Sequence, residues 1–478
     1  MTGTSLITHV IDGEDVESES GARFETVDPY TRAAYAEVAL AGAAEVDRAV
    51  ASARRAFDDG PWPRMGFAER GELLHRLADL VAEHADELAL ADTTDMGKPV
   101  TDARTKDVPR TAQNFRFFAD HARLAAGETF PTDTGHHAYS LFQPAGVVAA
   151  ISPWNFPLML ESWKVAPALA WGNTVVLKPA EDTPLSATLL ARLATGAGLP
   201  PGVLNVVHGF GPDSAGSALT QHRGVDRITF TGESGTGRAI GQAAAANLTP
   251  VSFELGGKGA NLVFDDADLD NAVAWSVKAV FSNAGQVCLA GSRLFVQRGV
   301  HAEFLARFVA AAEALTMGDP KDPHTELGPL ASEEHWKKVS GYLDDIAGGA
   351  GRMLTGGQAD GWFVRPTVVV DVPTDSRIVR EEVFGPVVTV HPFDTEEEAV
   401  RTANDSPYGL NAMVFTENLS RAHRVSAALK AGTVWVNCFF VRDLRAPFGG
   451  VGDSGVGREG GTFSREFFTE PKAVVMQL

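Results

Sequence analysis

The stretch Arg227-Ile228-Thr229-Phe230-Thr231-Gly232-Glu233-Ser234-Gly235-Thr236-Gly237 decides the fold. Ile228–Phe230 reads as a short buried strand. Three glycines then turn the chain, and a helical stretch follows near 235–246. The same alternation extends outward. Val147–Ile151, Thr174–Leu177, Leu204–Val207 and Val251–Phe253 also read as buried strands, with helical stretches near 158–170, 185–197 and 212–221 between them. Strand–helix alternation of this kind implies a parallel, doubly wound α/β sheet. Such sheets take ligands beyond the carboxyl ends of their strands.

A second alternating region runs from about 261 to 440, with strands expected at Asn261–Phe264, Arg293–Val296, Val368–Val370, Val387–His391, Ala412–Phe415 and Thr433–Val436. Two such units imply a cleft between them. The first 120 residues read as mostly helical, because Val46, Val50, Ala53 and Phe57, and then Leu73, Leu74, Leu77, Leu80, Val81 and Leu88, recur at helical spacing. Pro131–Pro144 and Lys472–Leu478 are short mixed segments apart from both units, and exposed strands of that type need partners.

The chain has 478 residues, 41 basic and 61 acidic, for a formal charge of −20. It is long enough for two or three domains. Its acidity disfavours nucleic acid and anionic membranes, which would repel it. Two cysteines make neither a disulfide framework nor a Cys-rich zinc site, so no metal is expected and a reduced compartment is the default. The N-terminal twenty residues lack the basic start and apolar core of a signal peptide, and no apolar run approaches the roughly 20 residues that cross a bilayer. A cytoplasmic location is expected.

Several groups carry chemistry. Gly232–Gly237 allows a phosphate to approach backbone N–H groups at a helix start, or serves simply as a structural turn. Lys178 and Glu181 end another strand, where they can meet ribose hydroxyls or pair at the surface. Cys288, in Gly285-Gln286-Val287-Cys288, is a nucleophile if a base and an oxyanion donor come near it, and otherwise a buried thiol. Glu254, ending an apolar strand, is a candidate base, because desolvation raises a carboxyl pKa. Asn155, in Pro153-Trp154-Asn155-Phe156-Pro157, is a candidate amide donor or a turn residue. Spacing alone does not bring these three together.

Pro153–Pro157, Lys178–Glu181, Phe230–Gly237, Glu254–Lys258, Gly285–Cys288, Glu382–Pro386 and Pro447–Gly450 occur in the order and spacing of the NAD(P)-dependent aldehyde dehydrogenases. The chain resembles that family over nearly its whole length. The resemblance implies an aldehyde dehydrogenase-like α/β fold with three parts. A Rossmann-like NAD-binding domain spans 1–125 and 146–254, an α/β catalytic domain spans 255–446, and small β segments at 126–145 and 464–478 serve oligomerisation. A homodimer or homotetramer is implied.

By the same resemblance Cys288 attacks the aldehyde, Asn155 and the Cys288 N–H hold the oxyanion, and Glu254 activates the water that hydrolyses a thioester. Ile151, Trp154, Lys178, Glu181, Gly232, Ser234, Leu255, Glu382 and Phe384 match the cofactor's surroundings. Glu181 would accept from the 2′ and 3′ hydroxyls and repel a 2′-phosphate, which favours NAD over NADP. Glu233 departs from the serine many members carry there. That leaves the pyrophosphate contact to the helix start and Ser234.

Arg110 and Arg442, with Gly455–Gly461, resemble the 2-hydroxymuconic and 2-aminomuconic semialdehyde dehydrogenases of that family. There, matching arginines bind the substrate carboxylate, as a planar guanidinium does well. Salt bridges to Asp107 and Asp443 are the alternative for these two side chains. Phe156, Trp163 and Phe440 would supply apolar walls. The expected reaction is NAD-dependent oxidation of a carboxylate-bearing semialdehyde to the dicarboxylic acid. Another acidic or aromatic aldehyde (succinic or 5-carboxymethyl-2-hydroxymuconic semialdehyde, or a biosynthetic intermediate) is the alternative. A non-catalytic member or a CoA-acylating enzyme would be expected to lack Glu254 or Cys288.

Overall fold

Val147–Ile151 and Thr174–Lys178 are buried at every position. Strands apolar on both faces must lie between layers of helices, and this pair lies inside an eight-stranded sheet of a computed structural model that describes residues 5–478. Residues 1–4, where the expected first segment begins, lie outside the described residues. The sheet order is Gly455–Val456, Val251–Glu254, Arg227–Thr231, Val147–Ile151, Thr174–Lys178, Leu204–Val206, His9–Ile11, Glu14–Val16. The strands from Val251–Glu254 through Leu204–Val206 are parallel, as expected, and antiparallel strands flank them.

The chain leaves Val147–Ile151 toward Thr174–Lys178, then returns to Arg227–Thr231 on the other side. The switch point falls between Ile151 and Thr231, where ligands of such sheets are held. Register puts Lys178 opposite Ile151, Phe230 opposite Ile151 and Glu254 opposite Thr231, so all these strand ends share one edge. The helices Pro157–Ala170, Leu185–Gly196 and Ser234–Ala245 lie within a residue or so of the expected stretches.

The second sheet has seven strands, ordered Arg352–Gln358, Val364–Val370, Val387–Phe393, Arg293–Gln297, Ala260–Val263, Asn411–Phe415, Thr433–Val436. Its six expected strands are present. The antiparallel edge strand Arg352–Gln358 was not anticipated, because Gly356 and Gly357 break its apolar pattern.

The N-terminal region corrects the helical reading. Ser5–Ile7, His9–Ile11, Glu14–Val16, Arg23–Asp28 and Ala33–Ala39 are strands, and helices begin only at Ala43. Thr26 and Asp28 are buried while the intervening Val27 is only partly so, a period of two that belongs to a strand. The helical periodicity of Val46–Phe57 does not extend back to it. A third sheet joins Thr469–Gln477, His136–Pro144 and Thr129–Phe130, so the two mixed segments apart from the main units pair with each other.

Candidate active site

Three loops converge beyond the strand ends. Glu254 closes its strand, and the chain then passes through Leu255-Gly256-Gly257. A Cβ on Gly257 would lie 2.3 Å from the Cys288 carbonyl oxygen, so only glycine lets the two loops touch. On the other side of the Cys288 loop, Gly285 has a φ of +72° and packs against the Gly385 carbonyl. Its neighbours Asn283 and Ala284 are also left-handed, as is Phe384. Such outliers cluster where a site is held against local preference.

Asn155 is tied to the same loop. Its Nδ2 donates to the Gln286 carbonyl at 2.9 Å, and Asn283 Nδ2 donates to the Asn155 carbonyl at 2.8 Å. A primary amide has two N–H donors, so one remains for a ligand. Asn155 is thus held against the Cys288 loop, and Glu254, three residues before Gly257, lies near enough to that loop to raise the Cys288 pKa.

Glu254 is buried and neither carboxylate oxygen has a partner. Burial, with Glu459 adding to it, pushes its carboxyl well above the ordinary range, while Lys164, Arg442 and Arg458 oppose the shift. Burial also pushes the Cys288 thiol up, helped by Glu382 and Glu254 and opposed by Arg442. Raised in this way the thiol is protonated at neutral pH, and its ionisation calls for a nearby acceptor or an added positive charge. Glu382 accepts from the Gly257 N–H at 2.8 Å, and burial raises its carboxyl to about 7.

The residues on the strand-end edge fit a dinucleotide. Lys178 is buried, donates to the Pro179 carbonyl at 2.9 Å and reaches Glu181 at 3.3 Å, while Glu181 stays accessible. The pair is thus formed, but only one of its members lies at the surface. The helix Ser234–Ala245 starts at the same edge, and no atom lies within 4 Å of a Cβ built on Gly235. Ile151 and Leu255 are buried beside it, and Gly232 packs against the Phe230 ring. Trp154 lies 5.3 Å from the Phe384 ring, edge-on. The Ser234 hydroxyl donates to the Asp453 carbonyl at 2.8 Å, so a pyrophosphate competes with that carbonyl for its proton. Glu233 pairs with Lys338 at 2.9 Å instead.

A cavity of about 350 Å³ opens beside the Cys288 loop, which contributes Asn283 and Val287 to its lining. Its lining includes all five expected substrate contacts: Arg110, Phe156, Trp163, Phe440 and Arg442. The alternative salt bridges do not form. Asp107 is held by Lys98 and Asp443 by Arg445, the latter at 2.6 Å. Among the described residues neither Arg110 nor Arg442 enters an ion pair. Arg442 instead lies over the Trp163 ring at 4.3 Å and the Phe448 ring at 3.7 Å. Burial lowers its pKa to about 10, so it stays charged at neutral pH. Arg116, by contrast, pairs with exposed Asp79.

Sequence reasoning missed several participants. The His335 ring lies 4.9 Å from that of Trp154, tilted against it, and its Nε2 bonds the Phe384 carbonyl at 2.7 Å. Lys98 lies over the Phe156 ring at 3.6 Å. Lys164 reaches Glu459 at 3.3 Å. No local pattern marks these side chains, since each acquires its neighbours from a distant segment.

Known proteins share this arrangement. Residues 16–474 match the model of the aldehyde dehydrogenase family. The 2-hydroxymuconic semialdehyde dehydrogenase of Pseudomonas sp. (strain CF600) is 50% identical, over 99% of this chain and 99% of that protein. The 2-aminomuconic 6-semialdehyde dehydrogenase of a Pseudomonas species is 45% identical, over 98% and 97%. An aldehyde dehydrogenase from Bacillus cereus, solved as an NAD+ complex, superposes with a TM-score of 0.97 at 42% identity, covering 99% of this chain and 96% of that one.

Proposed function

The chain belongs to the aldehyde dehydrogenase family, and from that premise we propose that it oxidises a carboxylate-bearing semialdehyde, of the 2-hydroxymuconic or 2-aminomuconic type, to the dicarboxylic acid with NAD. The observation that carries the substrate is the pair of unpartnered arginines, Arg110 and Arg442, in the cavity beside Cys288.

Cys288 releases its proton through water and, as the thiolate, adds to the aldehyde carbon, so that a C–S bond forms and the C=O π pair becomes an oxyanion. The free N–H of the Asn155 amide and the Cys288 backbone N–H donate to that oxygen. When bound, the dinucleotide supplies the hydride acceptor that turns this adduct into a thioester on Cys288. Glu254, whose carboxylate oxygens have no competing partner among the described residues, acts as the base and in its ionised form takes a proton from water. The resulting hydroxide adds to the thioester carbonyl, the C–S bond breaks, and the acid leaves. A thioester hydrolyses more readily than an ester, which explains a sulfur nucleophile.

Lys178 and Glu181 would hold the adenosine ribose and Glu382 the nicotinamide ribose, with Phe384 beside the nicotinamide ring. Ile151, Trp154, Gly232 and Leu255 line the dinucleotide's path, and the helix start at Ser234 receives the pyrophosphate. The accessible carboxylate of Glu181 favours NAD over NADP. Residues 1–125 and 146–254 act as the dinucleotide-binding domain and 255–446 as the catalytic domain, which the two separate sheets support. Segments 126–145 and 464–478 join subunits as a dimer or tetramer.

One experiment tests the whole reading: reduced-cofactor production with NAD and with NADP, against neutral aldehydes and 2-hydroxymuconic semialdehyde. A preference for NAD and for the carboxylated substrate is expected. Equal kcat/KM on neutral aldehydes would remove the substrate assignment, and a preference for NADP would remove the role of Glu181.

A further inference from the structure

Glu459 takes no part in the chemistry above, yet it is buried at the junction of everything that surrounds Arg442. One carboxylate oxygen accepts the indole N–H of Trp163. The other accepts from Lys164 at 3.3 Å, and Lys164 is itself held by the Thr229 hydroxyl at 3.1 Å. The Glu459 backbone pairs with Phe448 in both directions, at 2.7 and 2.8 Å. Trp163 and Phe448 are the two rings under the Arg442 guanidinium. A single residue thus fixes one ring through its side chain and the other through its main chain.

An indole anchored at its N–H cannot rotate, and a cation lying on a ring face is aligned with that face. Among the described residues the Arg442 Nη2 has no hydrogen-bond partner to orient it, so the rings decide where the guanidinium points. We infer that Glu459 is a positioning residue for substrate selection, holding the aromatic bed on which Arg442 presents its guanidinium to the substrate carboxylate. This rests on the reading of Arg442 as the carboxylate's partner. Glu459 also adjoins Glu254, so kcat shifts on any aldehyde are expected in its variants. The diagnostic quantity is the ratio of KM for a carboxylated semialdehyde to KM for benzaldehyde.

The test is a double-mutant cycle with NAD, using Trp163→Phe, Glu459→Leu, the double variant, and Arg442→Ala as the reference. Trp163→Phe keeps an aromatic face and removes the N–H. Each single variant is expected to raise the KM ratio about tenfold, near the worth of one charge-assisted contact. The double variant is expected to match the larger single effect within about twofold, because both remove the same restraint. An unmoved ratio in Trp163→Phe, or effects that multiply, would overturn the inference while Arg442→Ala still raises the ratio. If Arg442→Ala leaves the ratio unmoved, the carboxylate reading itself falls and takes this inference with it. Where Glu459→Leu does not fold, Trp163→Phe against Arg442→Ala decides alone.

Discussion

Arg442 carries its charge in a desolvated place with no direct ion pair among the described residues, the Glu459 and Glu254 carboxyls acting on it only from a distance, and a poorly compensated charge of this kind is costly. Stacking on Trp163 and Phe448 offsets part of that cost, and a substrate carboxylate would offset more. Arg442→Ala is therefore expected to raise KM for a carboxylated semialdehyde by roughly ten- to a hundredfold, the worth of a charged hydrogen bond. The change for a neutral aldehyde should be far smaller, and steady-state kinetics on both substrates checks it.

The nucleophile and base are read the same way. Cys288→Ser should abolish turnover and keep NAD binding by fluorescence titration. Glu254→Gln should give one burst of NADH and then stall, because acylation needs no water and deacylation does. The buried carboxyl of Glu382 adds a pH dependence. Its pKa is raised to about 7, so it is neutral below that pH and ionised above it. The ionised form accepts ribose hydroxyls more strongly. KM for NAD is expected to fall as pH rises from 6 to 8, and Glu382→Gln should flatten that profile.

Among elements, the loop after Val251–Glu254 matters most. Gly256 packs against the Glu382 carboxylate and Gly257 against the Cys288 carbonyl, where added Cβ atoms would lie 2.4 and 2.3 Å away. The end of that strand, the Glu382 segment and the Cys288 loop are thereby pressed into one surface. Gly257→Ala must push the Cys288 loop away, and a displacement of about 1 Å from productive geometry can lower kcat roughly a hundredfold. The loss should appear in the amplitude and rate of the NADH burst, with KM for NAD little changed.

Across the molecule, the third sheet leaves Phe130, Leu141, Val475 and Met476 exposed on an unpartnered surface. Apolar edge strands of this kind seek another chain. Val475→Asp is expected to shift the assembly toward a smaller species in light-scattering chromatography, with the order of the two main sheets intact. The charge of −20 acts at the same scale. It repels an anionic substrate at a distance, and the cavity arginines reverse that field only close to the reacting carbon.

Much of this was legible from the chain alone. Val147–Ile151 and Arg227–Thr231 are recognisable because parallel strands need unbroken apolar runs, and Cys288, Glu254 and Asn155 because they stand within spaced motifs. Ser5–Ala39 was misread because short, half-exposed strands carry little periodicity, and a helical pattern begins close behind them. The sequence by itself determined the doubly wound sheet and the acidic character of the chain, which follow from local order along the backbone, while Cys288 stood out as the candidate nucleophile only through the resemblance of its spaced motifs to a known family. Only the tertiary structure decided that Asp107 belongs to Lys98, that the Ser234 hydroxyl donates to the Asp453 carbonyl, and that Glu459 braces both rings under Arg442. Trp163 and Glu459 lie 296 residues apart in the chain, and contacts at such separation are set by packing, which no local spacing encodes.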